Sequence, residues 1–144
     1  DLVTVKRGHQ FQAGFLFSQI SLDESEKTPV LNLRGADPSE KVRLLGEWVR
    51  AHRVEAIFTG IAELPSILKK AGLEFPGDVA LATTTILDSP ITAGIDQHPY
   101  EIGRVAFLML NSLINDGSFG IPTIFRQILV EGSWVDGDSL PNRV

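Results

Sequence analysis

Helix and strand signals alternate most clearly in residues 37–83, which read DPSEKVRLLGEWVRAHRVEAIFTGIAELPSILKKAGLEFPGDVALAT. At the start of this stretch, Asp37 can accept hydrogen bonds from the free N–H groups of a first helical turn. Pro38 suits the first helical position, and Glu40 can close a capping box. Apolar residues then recur at helical spacing, so the pattern predicts a helix that runs to about His52.

Two short apolar runs in the same stretch predict buried strands. These runs are Val54–Phe58 and Val79–Thr83, and both are rich in β-branched or apolar residues. A helix is predicted between them over Ala62–Ala71, with Gly72 as its C-terminal cap. Because Pro65 is tolerated only in a first turn, this helix is expected to start late or to kink. The alternation is typical of crossover units on a parallel sheet.

The sequence before residue 37 continues this alternation, and the sequence after residue 85 interrupts it. A helix is predicted over His9–Ile20 and a strand over Pro29–Leu33. Residues 86–97 are predicted to form a long connection, because they contain Pro90 and Gly94 together with two aspartates.

An unusually apolar helix is predicted over His98–Asp116, with Pro99 near its start and Gly117 after its end. Apolar residues cover much of its circumference, so this helix needs covering on more than one side. Ile124–Val130 is predicted to be the last strand, and Ser133–Val144 to be a polar tail.

Composition limits the classes of partner. The 144 residues carry a net charge of −5, and their basic residues are interspersed with acids, so this chain by itself is not expected to bind DNA. The absence of cysteine excludes disulfides and thiolate metal sites and fits a cytoplasmic protein. The sequence has no apolar run of membrane-spanning length, and Asp1–Arg7 lacks the layout of a signal peptide.

The sequence predicts neither a catalytic centre nor a metal or cofactor site. It contains no GxGxxG motif and no GxxxxGK[ST] loop, which excludes the usual nucleotide motifs. His9, His52 and His98 are far apart in sequence, and none belongs to an HxxxH pair. A hydrolytic triad of Ser89, His98 and Asp88 would lack the GxSxG elbow, so these residues are interpreted as loop and helix-cap residues.

Five stretches resemble the effector-binding domain of the LacI/GalR family of transcription regulators, in the family's order and at near-family spacing. Together they cover roughly residues 10–134. The stretches and the motifs they resemble are Gln12–Phe15 (R-x-x-G-F), Glu55–Thr59 (x-A-I-F-A), Ala71–Leu81 (G-x-x-V-P-x-D-V-S-V), Ile91–Gln97 with Glu101–Gly103 and Ala106 (L-T-T-I-x-Q-x-x-x-E-L-G-x-x-A), and Leu129–Ser133 (L-V-x-R-G-S).

This resemblance implies an α/β fold in which a parallel sheet is flanked by helices, as in the C-terminal lobe of type I periplasmic-binding-protein-like domains. Residues 8–97 and 131–144 would form that lobe, while 98–130, including helix 98–116 and strand 124–130, would pack on a largely missing N-terminal lobe. The family's helix-turn-helix would lie outside this chain. The implied partners are operator DNA through that module, a sugar-like effector, and a second copy in a homodimer.

The family's ligand-binding positions carry different residues here. Phe11 stands where the family has arginine, Ile61-Ala62 replaces an Asn-Asp pair, Thr85 replaces an aspartate, and Glu131 replaces the arginine before Gly-Ser. Such a site binds sugar hydroxyls through directed hydrogen bonds, which arginine donates and aspartate accepts, so an ordinary sugar pocket is not expected. The predicted pocket rim consists of Phe11, Ile61, Thr85, His98 and Pro99, of which the last two lie in the stretch Gln97–Pro99. The alternative is that Phe11 and Ile61 belong to the core.

Three functions follow from these observations. The first is a ligand-responsive transcription regulator, a repressor, of which this chain is the effector-binding and dimerisation region. The second is a periplasmic type I solute-binding protein, which shares the fold and which a signal peptide on the whole gene would favour. The third is an α/β enzyme, which the sequence does not support because no catalytic residues converge.

Overall fold

The computed structural model describes residues 10, 12–33 and 35–142. The chain divides into two compact units, which we call the first unit (up to His52) and the second unit (from Arg53). Within the described residues, no helix is long and apolar enough to cross a membrane.

The first unit contains helical residues 12–18, which we call α1, and α2, Pro38–Ala51. The strand predicted over Pro29–Leu33 is wrong, because residues 29–33 have no regular structure. A strand needs a neighbour for its backbone groups. Just before this segment, the backbone of Thr28 bonds to a side chain instead: its N–H donates to Gln19 Oε1 at 2.6 Å, and its C=O accepts from Gln19 Nε2 at 3.1 Å.

Of the two capping-box contacts predicted for α2, the structure shows the one made by Asp37. The Asp37 carboxylate accepts hydrogen bonds from the N–H groups of Ser39 and Glu40, at 2.8 and 2.9 Å. The donors on Glu40 and Ser39 hold the pKa of Asp37 below its ordinary value. The helix ends at the predicted place, and its apolar side buries Leu45 and Val49.

The second unit contains a four-stranded sheet and two helices. Among the described residues, the strand order is β1-β2-β3-β4, with β1, β2 and β3 parallel and β4 antiparallel to β3. The elements in chain order are β1 (Ala56–Thr59), α3 (Leu64–Lys70), β2 (Ala80–Thr83), β3 (Gly94–Asp96), α4 (Pro99–Asn115) and β4 (Ser133–Val135).

The core of the second unit is centred on β2, of which every residue is buried. Ala56 pairs with Ala80 and Thr59 with Thr83, which fixes the register of β1 on β2. Helix α3 starts late, as Pro65 predicts. The buried apolar residues of this unit are Leu64, Leu68, Leu73, Val79, Ala80, Leu81, Ala82, Ile91 and Ala93.

Two predictions for the end of the sheet are wrong. Residues 86–97 are not only a connection, because they contain β3, and residues 133–144 are not only a polar tail, because they begin with β4. The sheet is therefore mixed and not purely parallel. Three-residue strands are too short to show a period of two in the sequence, and pairing between distant segments determines them instead.

The strand predicted over Ile124–Val130 is also wrong, because residues 125–132 have no regular structure. An isolated strand leaves its backbone groups unpaired, and these residues show no backbone hydrogen bonds within the described chain. The large apolar side chains of the predicted strand Ile124–Val130 lie in solvent. Ile124 is 76% exposed, Phe125 79% and Leu129 89%.

The helix predicted over His98–Asp116 is confirmed as α4, with Pro99 in its first turn. The structure describes all of α4, and no residue of this helix is buried. Its exposed large side chains are Tyr100, Ile102, Phe107, Leu108, Leu110 and Ile114. Helix α4 therefore exposes apolar side chains around much of its circumference, as the sequence predicts.

The buried Ser139 joins the C-terminal residues to the sheet. Its hydroxyl donates to the Leu81 carbonyl at 2.8 Å and accepts from the N–H groups of Thr92 (3.1 Å) and Ala93 (2.9 Å). Because Ser139→Ala leaves buried backbone groups without these partners, we expect it to lower the free energy of unfolding by about 1–3 kcal/mol. Urea denaturation measures this loss. Ser66→Ala, which removes an exposed hydroxyl on α3, is the control and should change stability by less than about 0.5 kcal/mol; equal effects of the two changes would contradict the prediction.

Candidate functional site

The carboxyl ends of β1, β2 and β3 lie on the same side of the sheet because these strands are parallel. Open α/β sheets bind ligands outside the carboxyl ends of their strands. We call Thr59–Ile61, Thr83–Thr85 and Asp96–Pro99 together the carboxyl edge. Four of the five predicted rim residues, Ile61, Thr85, His98 and Pro99, belong to it. Phe11 lies outside the described residues.

At the end of β1 the chain turns closely against β2. The Thr84 N–H donates to the Thr59 carbonyl at 2.9 Å, and the Ile61 N–H donates to Thr59 Oγ1 at 3.0 Å. A Cβ on Gly60 would lie 2.9 Å from Thr84 Oγ1, so the absence of a side chain at Gly60 allows the two loops to lie this close together. The Ile61 side chain is 49% exposed, and Ile61 is therefore not a core residue.

At the end of β2 the hydroxyl groups of a threonine run shape the loop. Thr83 Oγ1 donates to the Thr85 carbonyl at 3.0 Å, and Thr85 Oγ1 accepts from the Leu87 N–H at 3.3 Å. Two of the three hydroxyls in this run are therefore bonded to the backbone of their own loop. The Thr84 hydroxyl is the one that faces the approach at Gly60.

At the end of β3 the chain crosses to α4 with a left-handed residue. His98 has φ 51° and ψ 58°, and its N–H donates to Asp96 Oδ1 at 2.8 Å. Its imidazole Nδ1 lies 3.4 Å from Asp96 Oδ2. Beside it, Gln97 Nε2 donates to the Thr84 carbonyl at 2.8 Å, which links the ends of β2 and β3.

The first two turns of α4 carry an exposed ion pair next to this edge. Arg104 Nε donates to Glu101 Oε2 at 2.7 Å. The Arg104 hydrogen bonds hold the pKa of Glu101 below its ordinary value, and the charge of His98 acts in the same direction. The carboxyl edge itself carries threonine hydroxyls, the Gln97 amide, the Asp96 carboxylate and the His98 imidazole, and all of these can form hydrogen bonds with a polar molecule.

The hydrolytic triad considered from the sequence is not assembled. Ser89 Oγ accepts from the Ile91 N–H at 3.1 Å, and the carboxylate beside His98 is that of Asp96. Within the described ranges, no three His, Asp or Glu side chains come together in a way that could hold a metal ion.

Sequence reasoning missed three residues at this edge: Thr59, Thr84 and Asp96. Each stands at or directly after the end of a strand that pairs with its neighbour. For Thr59 and Thr84 the signal was available, because both follow predicted strands. For Asp96 no signal was available, because β3 itself was not predicted.

Comparison with solved structures gives a match to the crystal structure of the transcription regulator CcpA of Lactococcus lactis. The match has a TM-score of 0.56 and 18% sequence identity, and it covers 98% of this chain and 52% of that one. The chain thus spans about half the length of that regulator. Neither a protein-family model nor a curated protein matches the sequence.

The matched structure is a transcription regulator, and almost all of the present chain takes part in the match. At this level of identity the likeness concerns the fold. The α/β fold that the five sequence stretches implied is confirmed: the described residues form a sheet flanked by helices, and the chain shares its fold with about half of that regulator.

Proposed function

We propose that this chain is the effector-binding and dimerisation region of a ligand-responsive transcription regulator of the LacI/GalR family, acting as a cytoplasmic repressor. The observation that carries the proposal is the fold match, which extends over 98% of the chain to a transcription regulator. The five family-like stretches lie within the same residues and support it. DNA binding is assigned to a helix-turn-helix module outside this chain, in agreement with the net charge of −5.

The effector is proposed to bind at the carboxyl edge, against Ile61, Thr85, His98 and Pro99. A sugar or a related uncharged metabolite fits the hydroxyl and amide groups there. An effector controls DNA binding only if its affinity differs between two arrangements of the protein. The carboxyl edge suits this role because its residues come from three strands and from the start of α4.

Residues 98–130 are proposed to pack on a second, N-terminal lobe, while residues 8–97 and 131–144 form the C-terminal lobe. Two observations support this. Helix α4, which is described throughout, has no buried residue, and the apolar residues between Phe119 and Leu129 are mostly solvent-exposed. Monomeric proteins rarely expose apolar patches of this extent. The regulator in the match is also about twice as long as this chain.

The proposal is tested by an electrophoretic mobility shift of the full-length gene product with its own upstream DNA, with and without a panel of sugars. We expect retardation that one class of sugar relieves or enhances. Low salt favours phosphate contacts, so absence of retardation at low salt would contradict the regulator function. Such a result would direct attention to a solute-binding protein and to its signal peptide.

A rim variant separates effector binding from DNA binding. Gln97→Leu removes an exposed amide that links the ends of β2 and β3 at the proposed effector site. We expect the effector concentration for half-maximal response to rise about three- to tenfold, because one hydrogen bond to the effector is lost. The DNA affinity in the absence of effector should be unchanged. Ser66→Ala on α3 is the control, and an equal shift in both variants would contradict the placement of the effector.

A further inference from the structure

The chain leaves the sheet for α4 and returns to it at the same place. It leaves through Asp96–Pro99, and it returns through Gly132 to Ser133, which pairs with Asp96 in the antiparallel ladder. A Cβ on Gly132 would lie 2.7 Å from Ile95 Cγ2 and 3.0 Å from the Asp96 carbonyl oxygen. We call Asp96–Pro99 together with 131–133 the α4 passage.

This passage is the attachment point of α4. The helix is described over its whole length, and none of its residues is buried. The hydrogen bonds at its start are those of His98: the His98 N–H donates to Asp96 Oδ1 at 2.8 Å, and the Ile102 N–H donates to the His98 carbonyl at 3.0 Å. Movement of α4 relative to the sheet therefore has to act on His98.

His98 is held in a conformation that most residues avoid. Its φ of 51° lies in the left-handed region, which costs free energy for a residue with a Cβ. One carboxylate opposes that cost at two points, because Asp96 Oδ1 accepts the backbone N–H and Asp96 Oδ2 lies 3.4 Å from the imidazole Nδ1. The side chains are 40% and 35% exposed, so solvent can exchange protons with the imidazole.

The charged groups around the imidazole are mostly acidic. Asp96 approaches it from β3, and Glu101, which is paired with Arg104, interacts with it from α4. Glu131 precedes Gly132 on the returning segment. The end of β2 contributes threonines, which carry no charge. A positive imidazolium is therefore attracted to Asp96, whereas a neutral ring lacks this attraction.

We propose that the α4 passage is a proton-sensitive latch. When His98 is protonated, its charge holds the first turn of α4 against Asp96. When the imidazole is neutral, that attraction is lost and the passage opens more often. The latch belongs to this chain itself, and it operates whether or not the protein binds DNA or a sugar.

The test is amide hydrogen exchange at pH 5.5 and pH 7.5, corrected for the intrinsic pH dependence of exchange. We expect the amides of His98 and Ile102 to be protected about two- to fivefold more at pH 5.5, which corresponds to the strength of a partly exposed ion pair. Amides of the buried strand β2 serve as an internal reference for global stability.

Two variants distinguish the latch from a general effect of pH. His98→Gln keeps a polar side chain but cannot gain a charge, and Asp96→Asn keeps an acceptor for the His98 N–H but removes the negative partner. Both are expected to abolish the pH dependence at His98 and Ile102. His52→Gln, a change in the first unit, should leave it unchanged. Equal protection at both pH values in the wild type, or an unaltered difference in His98→Gln, would overturn the proposal.

Discussion

Replacement of Gly94 by alanine is expected to separate β3 from β2. Gly94 pairs with Thr83 and has φ 151°, a value that residues with a Cβ rarely adopt. A Cβ at this position would contact the Thr83 carbonyl oxygen and would lie 2.8 Å from both Thr83 N and Thr83 Cγ2. Because two of these atoms belong to the backbone, a side-chain rotation cannot make room, and the two strands have to move apart.

We expect Gly94→Ala to lower the free energy of unfolding by about 3 kcal/mol or more, the sum of overpacking and backbone strain. Urea denaturation followed by circular dichroism measures the loss. Gly103→Ala is the matched control, because a Cβ there meets open space in the interior of α4. Alanine should stabilise that helix by about 0.5–1 kcal/mol. A Gly94→Ala protein with an unchanged urea midpoint would show that β3 does not approach β2 this closely.

Leu81→Ala is expected to have the second large effect. Leu81 stands inside β2, where it pairs with Ile57 of β1 and its N–H donates to the Ser139 carbonyl, and its exposed fraction is 0%. Its replacement removes buried methyl and methylene groups and leaves a cavity that the sheet can only partly close. Such changes lower the free energy of unfolding by about 2–5 kcal/mol.

The matched control for Leu81→Ala is Leu129→Ala, which makes the same chemical change at a side chain that is 89% exposed. That variant should change the stability of this chain by less than about 0.5 kcal/mol. The comparison therefore measures burial and not the loss of a leucine as such. Similar losses of stability in both variants would contradict the exposure of Leu129 and would mean that its side chain is covered. If self-association covers it, the stability of the wild-type protein would depend on protein concentration.

Local signals predicted those parts of the fold that local interactions determine. The Asp37 cap, the end of α2 at His52 and the late start of α3 at Pro65 each depend on a few neighbouring residues. The long apolar pattern of α4 is likewise a property of its own sequence. These elements were therefore predictable without knowledge of their partners.

Distant interactions determine the parts that sequence reasoning missed. Strands β3 and β4 have three residues each, and they exist because Gly94–Asp96 and Ser133–Val135 pair with each other. The opposite case is Ile124–Val130, which has the composition of a strand but no neighbour to pair with in the described chain. Strand propensity reflects how well side chains pack against neighbouring strands, so it does not predict a strand correctly where no neighbouring strand is present.

The candidate site shows the same division. Ile61 and Thr85 were identified by their positions after family-like strands, and the parallel sheet brings them to one edge. The sequence did not reveal which polar groups are already bonded. The Thr83 hydroxyl, for example, bonds within its own loop, whereas Gln97 reaches across to Thr84. These hydrogen bonds depend on backbone positions that only the folded chain defines.

The bond between the Ser139 hydroxyl and the Leu81 carbonyl joins residues that are 58 positions apart. A ribosome releases Leu81 long before Ser139, so the central strand emerges while one of its buried partners has not yet been synthesised. Until that partner arrives, the backbone of Leu81 and Ala93 stays open to water and to other chains, which is the condition under which nascent proteins aggregate. The sheet therefore cannot be completed before β4 and the turn that follows it have been synthesised.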